Sequence, residues 1–198
     1  MMDALVWIDC EMTGLDVASD VLVEVAVQVT DGDLNLLGEG IDVVIATPED
    51  NLAAMSDFVR EMHAASGLLH EIRASRVTLA EAERQILEYV KAQVPTERKA
   101  PIAGNTIGTD RAFLARYMPT LESYLHYRSI DVSSIKELAK RWYPKAFYSA
   151  PTKRGTHRAL ADIMESIAEL AYYRAAIFVP QPGPTTEQAR AFAADFQG

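Results

Sequence analysis

The chain has one cysteine, Cys10, so no internal disulfide can form, and its stability must come from a packed core. It is also short of positive charge, with 19 Lys and Arg against 28 Asp and Glu, a net charge of −9. Such a balance gives no bulk attraction for a long polyanion, so any phosphate site must be local or helped by bound cations. No apolar run is long enough to cross a bilayer, and the N-terminus shows no basic stretch leading into an apolar one. The expected setting is the cytoplasm, with no membrane partner. What is present is an ordinary soluble composition, 49% apolar and 24% charged in 198 residues, which suits one domain with a sizeable core.

Strand-like runs come first, at residues 4–10, 21–30 and 34–46. The turn between the last two carries "DGD", which predicts an antiparallel meander. Helical patterns follow at about 48–65 and 78–94, the second opening with Thr78 and Glu81 at capping-box spacing. "PIAGNT" (101–106) and "SIDV" (129–132) read as short strands, separated by helical segments at 109–118 and 120–125. Helices are also expected at 133–142 and 157–175. From residue 100 the order strand–helix–strand–helix implies parallel strands joined by crossovers. Residues 1–179 read as the folded unit. The proline-rich segment 180–198 reads as a loosely attached, flexible extension.

The stretch "ALVWIDCEMTG" (4–14) poses the chemical question. Side chains alternate along a strand, so Asp9 and Glu11 share one face. Two carboxylates on a hydrophobic strand repel each other and lose solvation. Oxygen ligands of this kind suit Mg²⁺ or Mn²⁺. Three more residues are candidates to join them. Asp110 follows the turn in "IAGNTIGTD". His157 and Asp162 flank a helix start in "GTHRALADIMESIAEL", beside an apolar stripe of Leu160, Ile163, Met164, Ile167 and Leu170. Taken singly, each has a plainer reading: a first-turn acid favoured by the helix dipole, a loop histidine, a solvated carboxylate.

Taken in order, D-x-E, a later Asp after a G-N turn and H-x₄-D resemble the motif set of the DEDDh 3′-to-5′ exonucleases. The flanking words "WIDCEMTGLD", "GNTIGTDRAFL", "YMPTLESYLHYRSIDVSSIKELAKRW" and "GTHRALADIMESIAELAYYR" resemble the branch that acts on very short RNA, and the resemblance covers about residues 4–178. It implies an α/β ribonuclease H-like fold with a central mixed five-stranded sheet flanked by helices. It implies a homodimer that clears very short RNA, mainly dinucleotides, from the 3′ end; in so acidic a chain, a pocket capped at a terminal phosphate would favour 5′-phosphorylated diribonucleotides. It further implies that Asp9, Glu11, Asp110 and Asp162 hold two divalent ions and that His157 is the general base for the attacking water.

The same resemblance assigns the substrate contacts. Leu15 would wedge against bases and Phe58 would stack on one. His63, Thr106, Tyr127, Arg128 and Ser133 match nucleotide-binding positions, with the "HYR" residues acting across the dimer. Phe58 departs from the pattern, since the family usually carries tryptophan there. Without the resemblance, Leu15 and Phe58 read equally well as core residues, and Arg128 as a surface charge. Two other functions fit parts of the pattern: an exonuclease for longer substrates, and a binding module that kept the fold without the chemistry.

Overall fold

The computed structural model describes residues 3–152 and 158–196. Strands β1 (Leu5–Met12), β2 (Leu22–Thr30) and β3 (Leu36–Val44) form the expected antiparallel meander. Strand β4 (Pro101–Gly104) then pairs with β1 in parallel, and β5 (His126–Asp131) pairs with β4 in parallel. The result is one mixed sheet of five strands in the order β3-β2-β1-β4-β5. β2 is buried along its whole length, Glu24, Gln28 and Thr30 included, as befits a strand covered on both faces.

The helices are α1 (Glu49–Ala53), α2 (Asp57–Ala65), α3 (Leu68–Ala74), α4 (Leu79–Gln93), α5 (Gly108–Tyr117), α6 (Pro119–Tyr124), α7 (Val132–Trp142), α8 (Pro144–Tyr148), α9 (Ala159–Ile177) and α10 (Thr186–Ala194). Thr78 caps α4, its hydroxyl accepting from the N–H of Glu81. The single helix expected over 48–65 is two. The break falls before Ser56, whose side chain caps α2 by accepting from Val59 N–H. Helix α3 is an addition to the sequence reading, entered through Gly67 at φ +82°, a conformation that glycine adopts at little cost. The extension carries α10, with a Thr185–Gln188 capping box and every residue exposed.

The sheet divides two cores. Val6, Ile8 and Cys10 face one side with Ile86, Phe113 and Leu114 from α4 and α5. Trp7 faces the other side with Ala26, Ala159, Ile163 and Ile167, beneath α9. The apolar stripe of α9 is thus Ala159, Ile163 and Ile167, with the expected Leu160 and Leu170 packed against them, partly buried. Met164, expected in that stripe, is 41% exposed, because it lies one position beyond the row that meets the sheet. Odd-numbered residues of β1 point toward α9, so this alternation decides where Asp9 and Glu11 go.

β5 departs from regular pairing. Its register with β4 slips between Pro101–His126 and Ile102–Ser129, which leaves Tyr127 and Arg128 in a bulge. Arg111 of α5 takes up the carbonyls there. Its guanidinium donates to His126 at 3.2 Å, Tyr127 at 2.9 Å and Arg128 at 3.3 Å, and pairs with Glu122 at 2.7 Å.

Candidate active site

Asp9, Glu11 and Asp162 each bring a carboxylate oxygen to one place, all within 4.8 Å of one another. β1 supplies the first two on its α9 face. The first turn of α9 supplies the third. Asp110, in the first turn of α5, is buried. Its Oδ1 accepts the N–H of Cys10 at 2.9 Å, between the two β1 acids.

Burial dominates the electrostatics here. Loss of solvation, reinforced by Asp110, Glu11, Asp162 and Glu24, pushes Asp9 up to about 9. Glu11 rises to about 8, from burial first and then from Glu24, Asp162 and Asp110. Asp110 rises to about 7 through burial, against the opposing pull of its bond from Cys10. Carboxylates gathered at this cost need a cation to ionise together. Their donor set is all oxygen, which fits a hard divalent ion.

His63 lies behind Glu11 with no exposed surface. Its Nε2 is 2.9 Å from the Met12 carbonyl, which can only accept, so Nε2 carries the proton. Nδ1 then faces Glu11 Oε2 at 3.9 Å. A chain of hydrogen bonds links Thr106 and Ser133 to the backbone of Asp162. Thr106 N–H donates to Ser133 Oγ at 3.0 Å and to Asp131 Oδ1 at 2.9 Å. Ser133 Oγ donates to Asn105 Oδ1 at 3.0 Å, and Asn105 Nδ2 donates to Ser166 Oγ at 2.8 Å. Ser166 Oγ in turn donates to the Asp162 carbonyl at 2.8 Å. Thr106 sits at φ +52°, a left-handed conformation that a β-branched residue holds only when surrounding bonds impose it.

Leu15 and Phe58 are 77% and 76% exposed, so neither belongs to the core. Leu15 is held out by a tightly bonded loop. Asp20 accepts from Thr13 Oγ1 and from Asp16 N–H, both at 2.9 Å. A Cβ on Gly14 would stand 2.4 Å from the Asp20 carboxylate, so a larger residue there would displace Asp20 from these bonds. Tyr127 is 73% exposed, and the Arg128 guanidinium lies over its ring at 5.5 Å. Both stand on β5, two strands from β1. His157, the expected base, lies outside the described residues.

The sequence reading passed over Glu24, Arg158, Asn105, Asp131 and Ser166. For Glu24 a signal was available: a lone acid inside "VLVEVAV" (21–27). In the sheet it pairs directly with Glu11 and is fully buried.

The Exonuclease family model matches residues 6–170. An oligoribonuclease of Streptomyces coelicolor is 62% identical over 194 residues, covering 98% of this chain and 96% of that protein. An oligoribonuclease of Mycobacterium tuberculosis is 58% identical over 195 residues, 98% and 91% of the two chains. Among solved structures, E. coli exonuclease I in complex with a 5cy-dT13 oligonucleotide superposes with a TM-score of 0.67 at 19% identity. That match covers 99% of this chain and 43% of that one, so the chain spans less than half of exonuclease I. At that identity the likeness is one of fold. The relatives that align almost end to end carry the assignment further: this chain belongs to the oligoribonucleases, a branch of the exonuclease family.

Proposed function

We propose that the protein is a 3′-to-5′ exoribonuclease that hydrolyses short oligoribonucleotides, dinucleotides above all, and that two Mg²⁺ or Mn²⁺ ions serve at Asp9, Glu11, Asp110 and Asp162. The observation that carries this reading is the convergence of Asp9, Glu11 and Asp162 within 4.8 Å, at a cost in like charge that a purely structural role would avoid. When bound, the ions supply Lewis acidity toward the phosphate and the attacking water. The chain supplies the rest. The four acids fix where the ions stand, and the Cys10 N–H holds Asp110 in line. His63 backs Glu11. His157, as a neutral imidazole, takes the proton from water, because its ordinary pKa lies near neutrality.

Leu15 and Phe58 offer exposed apolar faces for bases, which any base can use. Thr106 and Ser133 would meet the nucleotide through their hydroxyls, which are bonded to each other at 3.1 Å and would exchange that bond for one to substrate. The activity resides in residues 1–179, with 180–198 an extension outside it, and the setting is the cytoplasm.

The same reading makes the enzyme a homodimer. Val6, Ile102 and Ser129 lie level across β1, β4 and β5. His126, paired with Pro101, is level with Leu5, so Tyr127 in the bulge just after it is under four residues of strand behind Asp9, or about 13 Å, and about 10 Å to the side. That separation favours Tyr127 and Arg128 serving a second copy's substrate, where Arg128 would cap a 5′ phosphate.

The test is a series of labelled oligoribonucleotides, two to seven long, with Mn²⁺ under single-turnover conditions. The expected kcat/KM is highest for the 5′-phosphorylated dinucleotide and falls with length. Removing that phosphate, or substituting Arg128→Ala, should weaken dinucleotide binding roughly tenfold to a hundredfold, the scale of a lost charge-assisted bond. A flat or rising profile with length would move the assignment to an exonuclease for longer substrates.

A further inference from the structure

Arg158 is the N-cap of α9 and the residue on which three elements converge. Its guanidinium donates to both oxygens of Glu71 at 2.8 Å, so it grips α3 in bidentate fashion. Nε and Nη2 reach Oε1 of Glu24 on β2 at 3.2 and 3.0 Å. Asp42 on β3 lies 3.8 Å away. The other Glu24 oxygen accepts the N–H of Ala159 at 3.3 Å, one of the first orphan donors of α9. Thus a buried carboxylate from a distant strand supplies the cap that Arg158's own side chain cannot give. The Arg158 carbonyl, in turn, accepts the N–H of Asp162 at 3.0 Å, an early backbone bond of the helix.

These contacts form a short mechanical path. Glu24 is the direct cross-strand partner of Glu11, so the strand pair that carries Glu11 also carries the anchor for α9. Arg158 closes the path from Glu24 to the first turn of α9, where Asp162 stands. We infer that Arg158 and Glu24 are positioning residues: they register the start of α9 against β1 and β2, and so set where Asp162 meets Asp9 and Glu11. A second effect follows from the same geometry. Glu24 is fully buried beside Glu11, yet both its oxygens are taken, one by Arg158 and the other by the Ala159 amide. A fifth acid thus frames the cluster without competing for its cations.

The inference rests on the cation-binding role of Asp9, Glu11 and Asp162, and Mn²⁺ titration of substrate-free protein by calorimetry tests both separately. Wild-type protein that binds no Mn²⁺ overturns that role. If it binds, the informative variant is Arg158→Met with Glu24→Gln. It leaves no unpaired charge on β2, the introduced side-chain amide can still accept from Ala159, and Glu71 is 44% exposed and regains water, so the double variant should melt above Arg158→Met alone. Mn²⁺ affinity should nevertheless fall roughly 10- to 100-fold, the usual cost of losing a group that orients a ligand. Arg158→Met alone should lose both affinity and thermal stability. Arg158→Lys, whose ammonium cannot span both carboxylates, should bind Mn²⁺ with intermediate affinity, and it carries the test if the double variant fails to fold. Wild-type affinity in the double variant, or in Arg158→Lys where that stands in, would overturn the positioning role and leave Arg158 as charge balance alone.

Discussion

The backbone N–H of Cys10 donates to Oδ1 of Asp110 across 2.9 Å, although 100 positions separate the two residues. Asp9 and Glu11 flank that amide, so one bond ties the spacing of three acids to the contact between β1 and the start of α5. Asp110 therefore serves twice, as a charge and as an acceptor.

Two substitutions separate those roles. Asp110→Asn keeps an oxygen for the Cys10 amide and removes the charge. It should fold with a wild-type melting temperature in chelator and show no turnover with Mn²⁺. Asp110→Ala strands the buried amide and should in addition cost about 1–3 kcal/mol of stability by denaturant unfolding. Turnover in purified Asp110→Asn would remove Asp110 from the cation site.

The cluster also predicts how the cation-free protein responds to pH. The carboxyls of Asp9 and Glu11 titrate at about 9 and about 8, far above carboxyls in the unfolded chain. The folded state thus holds protons that the unfolded state has released. Stability from these groups is complete below the unfolded carboxylate range, and is lost as pH rises through about 8 and then about 9. In EDTA the melting temperature should fall steadily from about pH 5 to about pH 9. Saturating Mn²⁺ should flatten or reverse the slope, because the cation replaces the protons. Asp9→Asn should flatten it without metal. A melting temperature that climbs with pH in EDTA would contradict the protonated cluster.

His157 has its role from the sequence alone. His157→Ala should lower kcat roughly 100- to 10,000-fold, the range for a lost general base. Its Mn²⁺ affinity by calorimetry should match wild type. A lost cation site in this variant would make His157 a ligand.

The placement of Tyr127 predicts complementation. Asp9→Ala and Tyr127→Ala proteins should each be inactive. Mixed under conditions of verified subunit exchange, they should recover activity, because one of the two sites in a heterodimer then has both groups. No recovery would assign Tyr127 to its own chain's site or to neither.

Much of this architecture is legible in the sequence, and the misses have physical causes. The meander, the parallel crossovers and the shared face of Asp9 and Glu11 follow from periods of two and 3.6 residues, which local sequence carries. The break before Ser56 and the helix after Gly67 depend on single turn residues inside an otherwise helical pattern, where period alone is silent. Glu24 and Arg158 were missed for a different reason. Arg158 is ordinary locally, a charge at a helix start, and Glu24, though a lone acid in an apolar run, names no partner by itself. Their meaning comes from the pairing of β2 with β1 and from the landing of α9 beside it, both set by tertiary packing. Asn105, Asp131 and Ser166 belong to the same class, polar residues each with a partner at least 25 positions away.

The bulge in β5 has a bearing on solubility. A sheet's outer strand normally offers a straight row of backbone acceptors on which a foreign strand can grow, the first step of edge-to-edge aggregation. Here one guanidinium, Arg111, consumes the carbonyls of three successive residues, His126, Tyr127 and Arg128, and the strand bends where they lie. A side-chain-mediated pairing of two copies remains open to this edge, while indefinite strand addition does not. Removing Arg111 would free those acceptors beside exposed Tyr127, turning a blunted edge into one able to recruit further strands.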